Sequence, residues 1–188
     1  EDYLRAAFHY AAMGGDAYYC SASYDIQKVL CDNFLPVIGH IGLIPSYITW
    51  TGWRAVGKTA NEAEALWRHT QMLEQIGVFG AELEVVPDRV AKYLTENSSL
   101  LMLGMGAGKY ADAQYLFTED VCGYGVNHKP RHGKVYADMG PKMKALQEER
   151  IAAFKAFRAD VDNGGYPAAE HSVAIKDDEY DAFLKSVQ

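Results

Sequence analysis

Short apolar runs alternating with helix-periodic segments constrain this chain more than any other feature. Residues 17–20, 36–40, 79–84, 99–103 and 114–118 each read as a short strand, because a brief apolar run bounded by turn residues is the pattern of a buried strand. The intervening segments carry apolar residues at helical spacing. Residues 1–13 place Leu4, Phe8 and Ala11 or Ala12 on one face and stop at Gly14-Gly15. Residues 24–31 form a short amphipathic helix, and residues 61–75 repeat Ala63, Leu66, Trp67, Thr70 and Leu73, with Asn61 as the cap. Pro87 opens a helix to about residue 95 at the favoured first-turn position. Residues 42–58 read as a long loop carrying Tyr47, Trp50 and Trp53, and two further helices are predicted over residues 141–161 and 177–187. Strands separated by helices imply a parallel α/β organisation. Five such units suit an open doubly wound sheet, or part of a (β/α)8 barrel, whose full set typically takes ~250 residues.

At 188 residues, 49% of them hydrophobic, the chain is long enough for one domain with a proper core. Its net charge of −7 argues against nucleic acid or an anionic membrane as partner. Cys20, Cys31 and Cys122 are widely spaced and form no CxxC pair, so they read as reduced thiols of an intracellular, cytoplasmic protein. No apolar run approaches the ~18 residues of a membrane span, and no signal segment opens the chain. The first residue is Glu1, which is read as processing or as missing upstream residues.

Two of the strand candidates end in ionisable residues. VIGHIGLIP (residues 37–45) carries His40, and GAELEVVPDR (residues 80–89) carries Glu84, with Glu82 two residues earlier on the same face. Ligands bind at the carboxyl ends of parallel strands, so His40 and Glu84 make a candidate acid/base pair. The alternatives are a histidine satisfied by a backbone carbonyl and a glutamate paired with an arginine. GMGAGK (residues 104–109) can present backbone N–H groups to an anion, but it lacks the ending of a nucleotide P-loop and equally makes a tight turn. His128 and His132 flank Pro130, which argues against a helical metal pair. Glu170-His171 carries no strong signal by itself, and no nucleophile elbow or metal-ligand cluster is found.

Six segments occur in a fixed order: PVIGHIGLIP (36–45), WRAVGKT (53–59), ELEVVP (82–87), GMGAGK (104–109), PRHGKVYADM (130–139) and GGYPAAEH (164–171). In order and wording they resemble the ketopantoate hydroxymethyltransferase family, whose wider relatives are the phosphoenolpyruvate mutase and isocitrate lyase group. The resemblance runs from about residue 16 to residue 173. It implies a (β/α)8 TIM-barrel fold whose first two to three βα units are absent from this chain. Residues 1–173 would be the C-terminal portion of that barrel and residues 174–188 a terminal helix.

The resemblance also implies an enzyme of pantothenate biosynthesis. Such an enzyme uses Mg2+ to enolise a small 2-oxo acid and adds the enolate to the one-carbon unit of methylenetetrahydrofolate. Glu84 matches the general base and His40 a substrate contact. Tyr19 and Ser21 stand where the family carries a lysine and a glutamate, and are taken as substrate-binding. Ala22-Ser23 replaces two glycines, Ser46 a glutamine, and His132-Gly133 an aromatic-valine pair. The Mg2+ aspartates belong to earlier strands, so no metal ligand is expected in this chain. The implied partners are the 2-oxo acid and either further copies or a second chain supplying the first strands. Two other readings stay open: a carbon–carbon lyase or hydrolase of the same group, and a non-catalytic subunit completing a partner's barrel.

Overall fold

The computed structural model describes residues 1–125 and 129–187, in two compact units, Glu1–Tyr136 and Ala137–Gln188. The first unit carries the sheet. Its elements are α1 (Asp2–Ala12), β1 (Tyr18–Tyr19), α2 (Tyr24–Asp32), β2 (Val37–Gly42), α3 (Ile48–Thr51), α4 (Ala60–Gln75), β3 (Gly80–Glu84), α5 (Asp88–Glu96), β4 (Leu101–Met105), β5 (Ala113–Gln114) and α6 (Thr118–Cys122). The second unit holds α7 (Met139–Asn163), a 3-10 turn at Ala169–His171 and α8 (Asp177–Val187). Within it, Tyr166 joins Phe157 and His171 at ring separations of 5.3 and 5.2 Å, folding the turn back onto α7.

The five strands pair in chain order, β1-β2-β3-β4-β5, and every pairing is parallel. That order never reverses, whereas a doubly wound sheet has a switch point. It is consistent with a TIM-barrel-like fold. Strand alternation divides the sheet into two faces. Val37, Ile41, Ala81, Leu83 and Met102 share one face and enter the core with Leu30 of α2, Leu66 and Leu73 of α4, and Ala91 and Leu94 of α5. Tyr19, Ile38, His40, Glu82, Glu84 and Leu103 share the other. Gly39 lets α4 lie close to β2: a Cβ there would meet the Leu73 methyls at 3.1 and 3.2 Å.

Several elements differ from the sequence expectation. The predicted strand over 114–118 is only Ala113–Gln114, and α6 begins at Thr118. Asp112 accepts the Met102 N–H at 2.8 Å, taking the place of a ladder partner, and Glu119 and Asp120 suit a helix's first turn. The loop over 42–58 contains a 3-10 turn at Pro45–Tyr47 and the short α3, since proline is preset for a first helical position. The cap of α4 is Thr59, not Asn61. Its hydroxyl accepts the Glu62 N–H at 3.2 Å, in the Thr-x-x-Glu spacing of a capping box. Among the described residues, no helix is long and apolar enough to cross a membrane.

Candidate active site

The β2–β3 register sets His40 beside Glu82 and Gly42 beside Glu84. The three ionisable side chains therefore project from one sheet face within a single pleat of each other. His40 Nε2 lies 3.1 Å from Glu84 Oε2, and His40 Nδ1 lies 3.9 Å from Glu82 Oε2. All three residues are buried, His40 at 2% exposure and each glutamate at 7%. On the next strand the Tyr19 phenol is hydrogen-bonded to His40 Nδ1, its ring tilted 60° against the imidazole. Among the described residues His40 Nε2 has no hydrogen-bond partner, because its approach to Glu84 lacks the alignment of one.

Neither bland expectation for the pair holds. Among the described residues no backbone carbonyl occupies the His40 ring; instead His69 Nε2 reaches the carbonyl of His40 at 2.9 Å. No described arginine pairs with Glu84, and Arg54 binds Glu62 at 2.8 Å.

The chain turn after β3 is unusual. Val85 has φ of 49°, a region that β-branched residues rarely enter. Its N–H donates to the Met105 carbonyl at 2.8 Å. Gly42, at φ of 99°, admits the same strand end: a Cβ there would sit 2.2 Å from the Glu84 carbonyl oxygen.

Burial pushes the Glu82 carboxyl above its ordinary range, and the neighbouring Glu84 charge adds to this while His40 opposes it. Burial and then the Glu82 charge raise the Tyr19 phenol strongly, so it remains a neutral hydrogen-bonding group. Tyr115 is raised for the same two reasons.

Tyr19, His40, Glu82 and Glu84 line a cavity of about 470 Å³ with Ile38, Pro45, Trp53, Leu103, Tyr115 and Phe117. A few polar groups in an apolar wall of that size suit a small ligand. Of the four residues expected from sequence, Tyr19, His40 and Glu84 meet here. Ser21 lies instead on a neighbouring cavity of about 410 Å³ with Ser23, Tyr24, Gln27 and His69, which shares only His40 with the first. Glu82 was legible as a same-face neighbour of Glu84 by its two-residue spacing. Tyr115 and Phe117 were obscured by the strand expected at 114–118, and Pro45 and Trp53 reach the wall through tertiary folding alone.

The remaining sequence candidates do not line this cavity. Gly106 and Gly108 have φ of 66° and 81°, and Cβ atoms there would approach His132 at 2.9 Å and Asp88 at 2.6 Å, so the glycine loop is a close-packed turn. His171 Nδ1 accepts the Ala168 N–H at 3.1 Å. His128 lies outside the described residues. His40, Glu82 and Glu84 each offer a ligand atom within 4.8 Å of the others, a juxtaposition that the sequence reading did not foresee.

Residues 17–169 match the sequence model of the family described as Ketopantoate hydroxymethyltransferase. Relatives named 3-methyl-2-oxobutanoate hydroxymethyltransferase include one from Thermotoga sp., 39% identical over 80% of this chain and 53% of its own length. Another, from Kosmotoga olearia, is 37% identical over 78% of this chain and 52% of its own. A third, from Pyrococcus abyssi, is 34% identical over 95% and 62% respectively. The chain spans about half the length of the first two and somewhat more of the third. With its motifs in family order and a family match over residues 17–169, the chain belongs to the ketopantoate hydroxymethyltransferase family.

Proposed function

We propose that the His40–Glu84 cavity binds a small 2-oxo acid and that Glu84 removes the proton on the carbon next to its carbonyl. The reaction would proceed to hydroxymethyl transfer from methylenetetrahydrofolate. The observation that carries this reading is a buried carboxylate and an imidazole 3.1 Å apart on one cavity wall. A general base must lie within hydrogen-bond reach of the proton it takes, and a cavity of about 470 Å³ holds such an acid with room beside it. His40, oriented by the Tyr19 phenol, would contact the oxo-acid group. Tyr19 contributes a neutral donor where the family's lysine would bring a positive charge.

The Mg2+ that the family implies is not matched by this cluster. Mg2+ takes oxygen ligands in near-octahedral array, whereas the cluster is centred on an imidazole nitrogen. In this reading the Mg2+ ligands stay outside the chain.

The five strands would be an arc of a (β/α)8 barrel. Among the described residues its outer members β1 and β5 each pair on one side only, and such edges attract a further strand. That favours an assembly, with copies of itself or with a second chain, and a native mass equal to one chain would overturn it.

The reaction is tested by following solvent deuterium into the C3 position of 3-methyl-2-oxobutanoate by NMR. Wild-type chain, assembled with any partner segment it requires, is expected to catalyse exchange, and Glu84→Gln to lower the rate by about 10²–10⁴-fold. Exchange that survives this substitution unchanged removes Glu84 as the base. Carbon–carbon cleavage with undiminished exchange would favour the lyase outcome over transfer.

A further inference from the structure

We propose that His40, Glu82 and Glu84 form a binding site for a late first-row divalent cation of the Zn2+ class, held within this chain. The proposal stands on the cluster's geometry and is independent of the enolisation reading, although both use Glu84.

Three observations carry it. The three residues present ligand atoms within 4.8 Å of one another. Ligands of one such ion lie about 2.0–2.2 Å from it, hence within roughly 4.4 Å of each other, so small side-chain rotations close the set. Second, the His40 side chain is 1% exposed, and its Nε2 lies 3.1 Å from Glu84 Oε2 without making a hydrogen bond to any described residue. A buried nitrogen left without a partner is costly, and a cation seated between these atoms would satisfy it. Third, the other ring nitrogen, Nδ1, is already taken by the Tyr19 phenol. A histidine ligand characteristically has its second nitrogen held by a neighbour in this way, which orients the ring toward the metal.

The donor set selects the ion. One imidazole and two carboxylates suit Zn2+, Co2+ and similar ions, while Mg2+ and Ca2+ seek oxygen alone. An ion seated here would occupy the Glu84 carboxylate, so metal loading and proton removal by Glu84 would exclude each other.

The test is a titration of the full chain, free of any affinity tag, with Co2+, whose visible absorption reports low-coordinate nitrogen and oxygen ligation. One ion per chain is expected, displaced by Zn2+ and not by a large excess of Mg2+. Glu82→Gln should weaken binding on the order of 100-fold, with an unchanged far-UV spectrum, whereas His9→Asn should leave it unaltered. X-ray absorption of the Zn2+-loaded wild-type chain provides a measurement that does not depend on variant folding. It should show one imidazole and oxygen neighbours; sulfur scattering, given three free cysteines, would overturn the site. Absence of Co2+ binding, equal affinity in Glu82→Gln, or displacement by equimolar Mg2+ would do the same, and none of these outcomes bears on exchange at C3.

Discussion

His40 and Glu84 meet at 3.1 Å although neither stands opposite the other in the strand register, where His40 faces Glu82 and Glu84 faces Gly42. The contact is diagonal across the β2–β3 pair, and such neighbours lie within reach of long side chains. The imidazole therefore sits between two carboxylates and is their only positively chargeable neighbour in the cluster.

Removing that imidazole should destabilise the fold more than a cavity of its size would. His40→Ala leaves two buried carboxylates and the Tyr19 phenol without their shared partner, at about 3–5 kcal/mol. His40→Asn, which keeps a donor, should cost less. Urea denaturation of the two variants checks this, and equal losses would mean that packing alone holds the residue.

The approach of β2 to β3 at the site depends on the absence of a side chain at Gly42. Gly42→Ala would place a Cβ 2.2 Å from the Glu84 carbonyl at a φ of 99°. The strand end must shift, and a loss of about 3 kcal/mol or more is expected. Gly52 has φ of 70° and ψ of 166° with open space around it, so Gly52→Ala should cost only the backbone penalty of that glycine-favouring region, about 1–3 kcal/mol. Melting curves of the two variants separate steric from conformational cost.

Val85 tests the same turn from the opposite direction. At φ of 49° its strain of about 1–2 kcal/mol is released in Val85→Gly, offsetting the side-chain contacts and chain entropy lost. The variant should stay within about 1 kcal/mol of wild type. The same change at Val37, fully buried in regular β2, should cost on the order of 3 kcal/mol. Similar losses at the two positions would show that Val85 is not strained.

Stability should fall on the alkaline side. Burial raises the Cys20 and Cys31 thiols above their ordinary value, so the folded chain keeps protons that the unfolded chain gives up from about pH 8.5 upward. The folded state then binds more protons, and its stability is full below that pH and declines above it. Urea midpoints measured across this range should drop. The decline should be shallower in Cys31→Ala, and alkylation of Cys20 and Cys31 in the folded chain should be slower than that of a free thiol.

The strands and their facing were legible in the sequence because both are local properties. Apolar runs mark β2 and β3 wherever the chain folds, and a two-residue period puts Glu82 and Glu84 on one side. The fixed order of six segments pointed to the family, since motif order survives without coordinates.

What tertiary structure alone decided was adjacency. Register between β2 and β3 made His40 a diagonal neighbour of Glu84, strand order brought the Tyr19 phenol onto His40 Nδ1, and the course of the chain after β1 carried Ser21 into the adjoining cavity. It also confined β5 to Ala113–Gln114, with the Asp112 carboxylate taking the Met102 N–H just before the strand begins. Hydrophobic periodicity is written in neighbouring residues, whereas pairing distance is set by hydrogen bonds between segments some forty residues apart. The opposed His40 and Glu84 atoms, and the ion site inferred between them, follow from that long-range pairing.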